Sequence, residues 1–242
     1  MLREWVHAVI WFQRHTRGKL PVPELALIRP LVRPDDTLVD IGAHAGSWLM
    51  PMARWVPQGR VYAFEALPYY ATTLRRLVIL GCRRNVRVIN HAVTSTPQTV
   101  RMVWKDPAGQ RISGCTHIAS AREDISGTVE VPGVPMDQDL ADNPGRVRFI
   151  KCDVEGAEYG VFLGGRQTIQ RWRPLVFAEL VREHLARYQH SLEDVFGYFA
   201  QLEYDAWELK AEGRSVRITG PDDYQGHDVF FAPREEKLPW ND

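Results

Sequence analysis

The 242 residues are 45% hydrophobic and carry 30 basic against 30 acidic side chains, so the formal charge at neutral pH is zero. This length suits one large domain with a sizeable core, and the balance excludes a global field toward nucleic acid or an anionic membrane. Three cysteines at unrelated spacings, Cys82, Cys115 and Cys152, make no metal pattern and suit a reducing cytoplasm.

Residues 1–35 read as a helical extension. An amphipathic helix is expected over 2–17, where Glu4 and His7 interrupt an apolar stretch too short to span a bilayer, and no small-residue cleavage site follows. Such a helix covers the core, caps a site or packs in a homodimer. Prolines 21, 23, 30 and 34 punctuate the connection to a first strand, Thr37–Ile41. A glycine turn and a helix to Trp55 follow, then a second strand, Val61–Glu65. Pro68 opens the next helix and Gly81 ends it. A third strand covers Val86–Asn90. The rhythm then changes: 98–104 and 128–131 alternate like strands around a polar stretch, 105–127, which reads as a β-excursion with a long substrate-facing loop. A fourth strand (Val147–Asp153), a helix over 157–170, a fifth strand (Leu175–Leu180) and a helix over 192–202 restore the α/β pattern. The last two strands, Asp205–Leu209 and His227–Ala232, read as a hairpin with one antiparallel member. The expected fold is therefore α/β and Rossmann-like, with a seven-stranded, mostly parallel sheet covered by helices on both faces over residues 36–242.

Chemistry concentrates at strand ends. The first strand delivers Asp40-Ile-Gly42 and, after three residues, Gly46, whereas a dinucleotide fingerprint requires G-x-G-x-x-G. Asp40 would repel a pyrophosphate but could pair with an ammonium or sulfonium. Glu65, at the tip of the second strand, suits capture of a ribose diol. These features resemble motifs I and II of class I S-adenosylmethionine-dependent methyltransferases. A plain βα turn with a capping acid, a nucleotide-dependent oxidoreductase and a non-catalytic nucleoside-binding module are the alternatives.

The fourth strand ends in Lys151-Cys-Asp-Val-Glu-Gly-Ala-Glu158. With Phe149-Ile150 before it and Leu163-Gly-Gly165 after it, this run resembles the F-I-K-x-D-x-E-G-x-E…L-x-G signature of FkbM-type methyltransferases. Stretches 61–77, 85–93, 134–140 and 174–180 follow in the family's order, so the resemblance covers roughly 36–232. Two positions depart from it: Ala66 stands where the family often has proline, and His227 precedes Asp228 where asparagine is more usual. The resemblance implies O-methylation of a small-molecule hydroxyl, on a sugar, glycoside or polyketide, with S-adenosylmethionine as cofactor. It places the cofactor on Asp40, Gly42, His44, Gly46 and Ser47 of the first loop, Glu65 and Ala66, His91 and Ala92, and Asp153.

Removing a hydroxyl proton requires a positioned base or a metal. Asp153, Glu155, Glu179 and His227 are the catalytic candidates, with His184 further along. Asp153, Glu155 and Glu179 are also hard oxygen ligands suited to Mg2+, although no dedicated ligand spacing is present. Trp104, His117 and Trp207 are candidates for contact with the acceptor.

Overall fold

The computed structural model describes residues 2–20, 22–106, 108–110, 115–120, 127–143, 145–209 and 215–239. Helix α1 (Leu2–Thr16) and the short α2 (Leu25–Ile28) precede β1 (Thr37–Ile41), α3 (Leu49–Trp55), β2 (Arg60–Phe64), α4 (Pro68–Leu80) and β3 (Val86–Ile89). Next come β4 (Ala92–Val93), β5 (Gln98–Val103), β6 (His117–Ile118), β7 (Thr128–Val134) and α5 (Met136–Asp139). The chain continues through β8 (Val147–Cys152), α6 (Glu158–Gly164), α7 (Arg166–Trp172), β9 (Leu175–Glu179), α8 (Arg182–Ala186) and α9 (Leu192–Gln201). It closes with β10 (Tyr204–Leu209), β11 (Ser215–Ile218) and β12 (Asp228–Pro233).

The main sheet runs β11-β10-β12-β9-β8-β1-β2-β3. The five strands from β9 to β3 are mutually parallel, β12 runs antiparallel to both β9 and β10, and β11 is antiparallel to β10. Strands β1 and β8 are buried at every residue, as central parallel strands covered on both faces must be. Alternate side chains feed two cores. Leu38, Val61, Phe149 and Phe177 pack beneath α3 and α4, while Val39, Tyr62, Ile150 and Val176 pack beneath α6, α7 and α9. Among the described residues no helix is long and apolar enough to cross a membrane.

Three expectations change in detail. The main sheet has eight strands rather than seven, because Ser215–Ile218 adds an edge strand; the expected last strand, Asp228–Pro233, inserts between β10 and β9. The single helix expected over 157–170 breaks into α6 and α7 at Gly164-Gly165. A Cβ on Gly164 would lie 2.1 Å from the Thr94 carbonyl oxygen, so the chain needs glycine where α6 meets the excursion. The excursion itself is a separate four-stranded sheet, β4-β7-β5-β6, spanning 92–134. Residues 111–114 and 121–126 of the expected loop lie outside the described residues.

Candidate active site

Register sets the site. Ile41 pairs with Phe64 and with Cys152, Cys152 pairs with Ala178, and Glu179 pairs with Asp228. Gly42, Glu65, Asp153, Glu179 and Asp228 therefore stand in one row along the carboxyl edge of the parallel strands, where open α/β sheets bind ligands. A cleft of about 150 Å³, open to solvent, lies over the Gly42, Glu65 and Asp153 part of this row. Of the residues named from the sequence, Gly42, His44, Glu65, Ala66, His91, Ala92, Asp153 and Glu155 line it. Met102, Thr116 and Ile118 of the small sheet close the opposite wall.

Glu65 is 6% exposed. Its Oε2 accepts the His44 N–H at 3.0 Å and its Oε1 the Leu67 N–H at 2.9 Å. Burial pushes its pKa up to about 7 against the pull of those two donors. The bonds fix both oxygens while leaving each a free lone pair. His44 reaches this position with φ +40, a left-handed conformation uncommon for a residue with a side chain.

The loop glycines serve the protein's own packing. A Cβ on Gly42 (φ +77) would sit 1.9 Å from the Asp153 carbonyl oxygen, and one on Gly46 (φ +76) would press on Leu77 of α4 at 3.0 Å. Gly46 and Ser47 do not line the cleft. Asp40 is fully buried behind the loop and not on the cleft wall, and Lys151 faces it. The Lys151 ammonium donates to the carbonyls of Ile41 (3.2 Å) and Gly42 (2.8 Å) and lies 3.5 Å from Asp40 and 3.4 Å from Asp153. Burial opposes its charge, but the two aspartates outweigh that and hold its pKa above the usual lysine value. An internal cation thus occupies the place beside Asp40 where a ligand ammonium was expected.

Past Asp153 the chain turns sharply. Glu155 has φ +59 and Gly156 φ +109, and a Cβ on Gly156 would strike the His184 carbonyl oxygen at 2.3 Å. Buried Glu158 holds this turn by accepting the Val154 and Gly156 N–H groups at 3.1 and 3.0 Å. The turn aims Glu155 at His184, with 3.2 Å between Oε2 and Nδ1. One carboxyl oxygen each from Asp153, Glu155 and Glu179 lies within 4.8 Å of the other two. Crowding shows in their proton affinities. Burial, then Asp153 and Glu155, pushes Glu179 up to about 8, and burial, then Glu24 and Asp153, raises Asp228 to about 6. Glu155 is likewise raised by burial and by Asp153. Even beside Lys151 and His184 the carboxyls outnumber the cations, which suits the group to holding a proton or a further cation.

Of the remaining candidates, Glu179 joins the carboxyl cluster, while His227 is exposed and outside the cleft lining. Trp207 is withdrawn as an acceptor contact, because it is buried in the core. His117 and Trp104 are half-buried. Sequence reasoning missed Asp228 as a member of the row and Glu158 as the brace of the turn. Register to Glu179 would have found the first, since Asp228 opens the last strand.

A family model described as the methyltransferase FkbM domain matches residues 40–206, and the chain belongs to that family. No curated protein matches it. The structure is similar to a methyltransferase FkbM from Methylobacillus flagellatus KT, with 18% identity and a TM-score of 0.54 over 83% of this chain. The match spans 44% of the length of that protein. An O-methyltransferase from Bacillus cereus, solved in complex with SAH, gives 13% identity and a TM-score of 0.51 over 95% of this chain and 91% of its own. At these identities the likeness shows the fold, that of class I S-adenosylmethionine-dependent methyltransferases.

Proposed function

We propose that the protein methylates a hydroxyl of a small-molecule acceptor, a sugar, glycoside or polyketide, using S-adenosylmethionine. The observation that supports this reading is the row itself: Glu65, suited to a diol, and Asp153 and Glu155, suited to a proton, line one cleft, and Glu179 adjoins the latter two. Family membership favours this reading over a nucleotide-dependent oxidoreductase, and the missing third glycine argues the same way.

The residues fit the cofactor. Glu65 keeps a free lone pair on each oxygen for the ribose hydroxyls, and Phe64, Val93, Met102 and Ile118 give the cleft apolar surface for a base. When bound, S-adenosylmethionine supplies a methyl group on a sulfonium leaving group. The chain's task is then to align the acceptor oxygen and take its proton. Asp153 and Glu155 line the cleft and are placed to accept that proton, and Glu179, pushed up to about 8, has the proton affinity of a base working near neutrality. His184 steadies Glu155 from behind. His227 stands further off, as a reserve candidate.

A second reading rests on the 4.8 Å grouping of three carboxyl oxygens: Asp153, Glu155 and Glu179 hold Mg2+, which would lower the proton affinity of a bound hydroxyl. The first test is thermal. S-adenosylhomocysteine should raise the melting temperature while NAD and NADP should not. An acceptor screen in EDTA and in Mg2+ then separates base from metal: activity lost in EDTA and restored by Mg2+ assigns the metal.

A further inference from the structure

Seven large apolar residues are exposed among the described residues, and five of them sit on α1: Leu2 (78% exposed), Trp5 (40%), Val6 (49%), Val9 (41%) and Ile10 (42%). A sixth, Ile79 (63%), is on α4, against which α1 packs. Spacings of three and four residues put the five on one stripe of the helix. The opposite stripe already has its partners. Ala8 and Trp11 are buried, Glu4 is 3.0 Å from Arg76, Tyr69 and His7 share a 2.8 Å hydrogen bond, and His15 meets the Ala45 carbonyl at 3.1 Å. The core explains the inner face and leaves the outer one unexplained.

Charge identifies what covers it. Arg3, Arg14 and Arg17 fall on one flank of the apolar stripe at 100° per residue, and Lys19 follows the helix; all four are exposed. The neighbouring surface has the same sign. From residue 66 to residue 105 the sequence holds no Asp or Glu but seven Arg and Lys. Exposed Arg75, Arg84 and Arg87 come from that stretch, on α4, the turn after it and the edge strand β3. The zero net charge of the chain therefore hides a basic stretch beside α1. An apolar stripe with a basic flank is the pattern of a helix that lies in the plane of a membrane interface.

We propose that the outer face of α1 docks the protein on an anionic phospholipid surface, the stripe entering the acyl boundary and the arginines meeting the headgroups. Trp11 and His15 of the same helix contact His44 and Ala45 of the glycine loop, so the docked face lies one helix from the cofactor site.

Co-sedimentation tests this, using vesicles of phosphatidylcholine alone and of phosphatidylcholine with about one third phosphatidylglycerol. The full chain should bind the anionic vesicles, release as salt is raised, and ignore the neutral ones. Val6→Glu/Ile10→Glu and, separately, Arg14→Glu/Arg17→Glu should each weaken binding about tenfold or more with the melting temperature unchanged. Both pairs are exposed, so the fold should tolerate them. Equal binding by variants and parent overturns the proposal. So does a dimer in sedimentation velocity that Val6→Glu/Ile10→Glu dissolves without any vesicle binding, since the stripe is then a self-interface. Binding to duplex RNA that survives Val6→Glu/Ile10→Glu, with no vesicle binding, overturns it as well.

Discussion

At one end of the cleft, Glu65 is almost fully buried, yet each of its oxygens accepts a backbone N–H placed for it by the loops at 44 and 67. At the other end, Asp153 and Glu155 meet side-chain partners, Lys151 at 3.4 Å and His184 at 3.2 Å, Glu179 and Asp228 follow them in the row, and three of the four have raised proton affinities. Both regions hold carboxyl groups in a low dielectric. They differ in what compensates them: two backbone N–H groups on one carboxylate at Glu65, against Lys151 and His184 beside four crowded carboxyls. A carboxylate already held by the backbone is a rigid binding group whose loss costs affinity. Carboxylates left to compete are waiting for a proton or a cation, and their loss should cost rate.

The largest expected effect breaks the comparison at the second region. Asp153→Asn and Glu155→Gln keep shape but remove charge, and each should lower methyl-transfer kcat roughly 10²–10⁴-fold while S-adenosylhomocysteine affinity stays within a few-fold. Single-turnover rates beside calorimetric affinities make the test. Normal turnover by both variants would move the base to Glu179, His184 or His227.

Gly42→Val should strike both regions at once, because the added Cβ meets the Asp153 carbonyl oxygen at 1.9 Å and the residue sits at φ +77. Relief requires parting β1's loop from the end of β8. A melting temperature lower by roughly 5 °C or more, together with weakened cofactor binding, is expected from strain of this kind. A variant with parental stability would show that the loop can move aside without cost.

Next in size is Glu65→Ala. Losing a charged acceptor typically costs ~1.5–3 kcal/mol, so S-adenosylhomocysteine should bind about tenfold more weakly or worse. Turnover at saturating cofactor should change much less. Unchanged affinity would remove Glu65 from the ribose and with it the distinction between the two ends.

Much of the fold was legible because periodicity and strand-end residues are local signals. The runs at 37–41, 61–64 and 147–152 are mostly apolar and free of turn residues, and such runs become central strands. Glu65 and Asp153 could be placed from the same runs, since a parallel strand fixes which end faces the cleft. What stayed hidden depends on contacts far apart in sequence. The place of Asp228 in the row follows from its pairing with Glu179, and β12's insertion between β9 and β10 cannot be read from either strand alone. The bonds of Lys151 to the carbonyls of Ile41 and Gly42 likewise require the β1–β8 pairing. Glycine at 42 signals a close approach to the backbone, but only the fold shows that the approaching group is the chain's own Asp153 carbonyl.

The smallest effect is a pH dependence in which stability and cofactor affinity run in opposite directions. Glu65, pushed up to about 7 by burial, titrates in the unfolded chain near 4.5. Between those values the folded protein holds a proton that the unfolded chain has released, so stability of the free protein should fall as pH rises through this window. Glu158, raised to about 7 by burial as well, adds to the same slope from beneath the 154–156 turn. Cofactor affinity should run the other way. Ribose hydroxyls donate best to an ionised carboxylate, so binding should tighten from pH 6 to pH 8, by at most about tenfold per unit because one proton is involved. Glu65→Gln should flatten the affinity profile, whereas Glu158→Gln should soften only the stability slope. Calorimetric titrations and melting curves across this range measure both. An affinity slope that persists in Glu65→Gln would assign the titrating group to the carboxyl cluster, and the cofactor would then be sensing the acceptor end of the cleft.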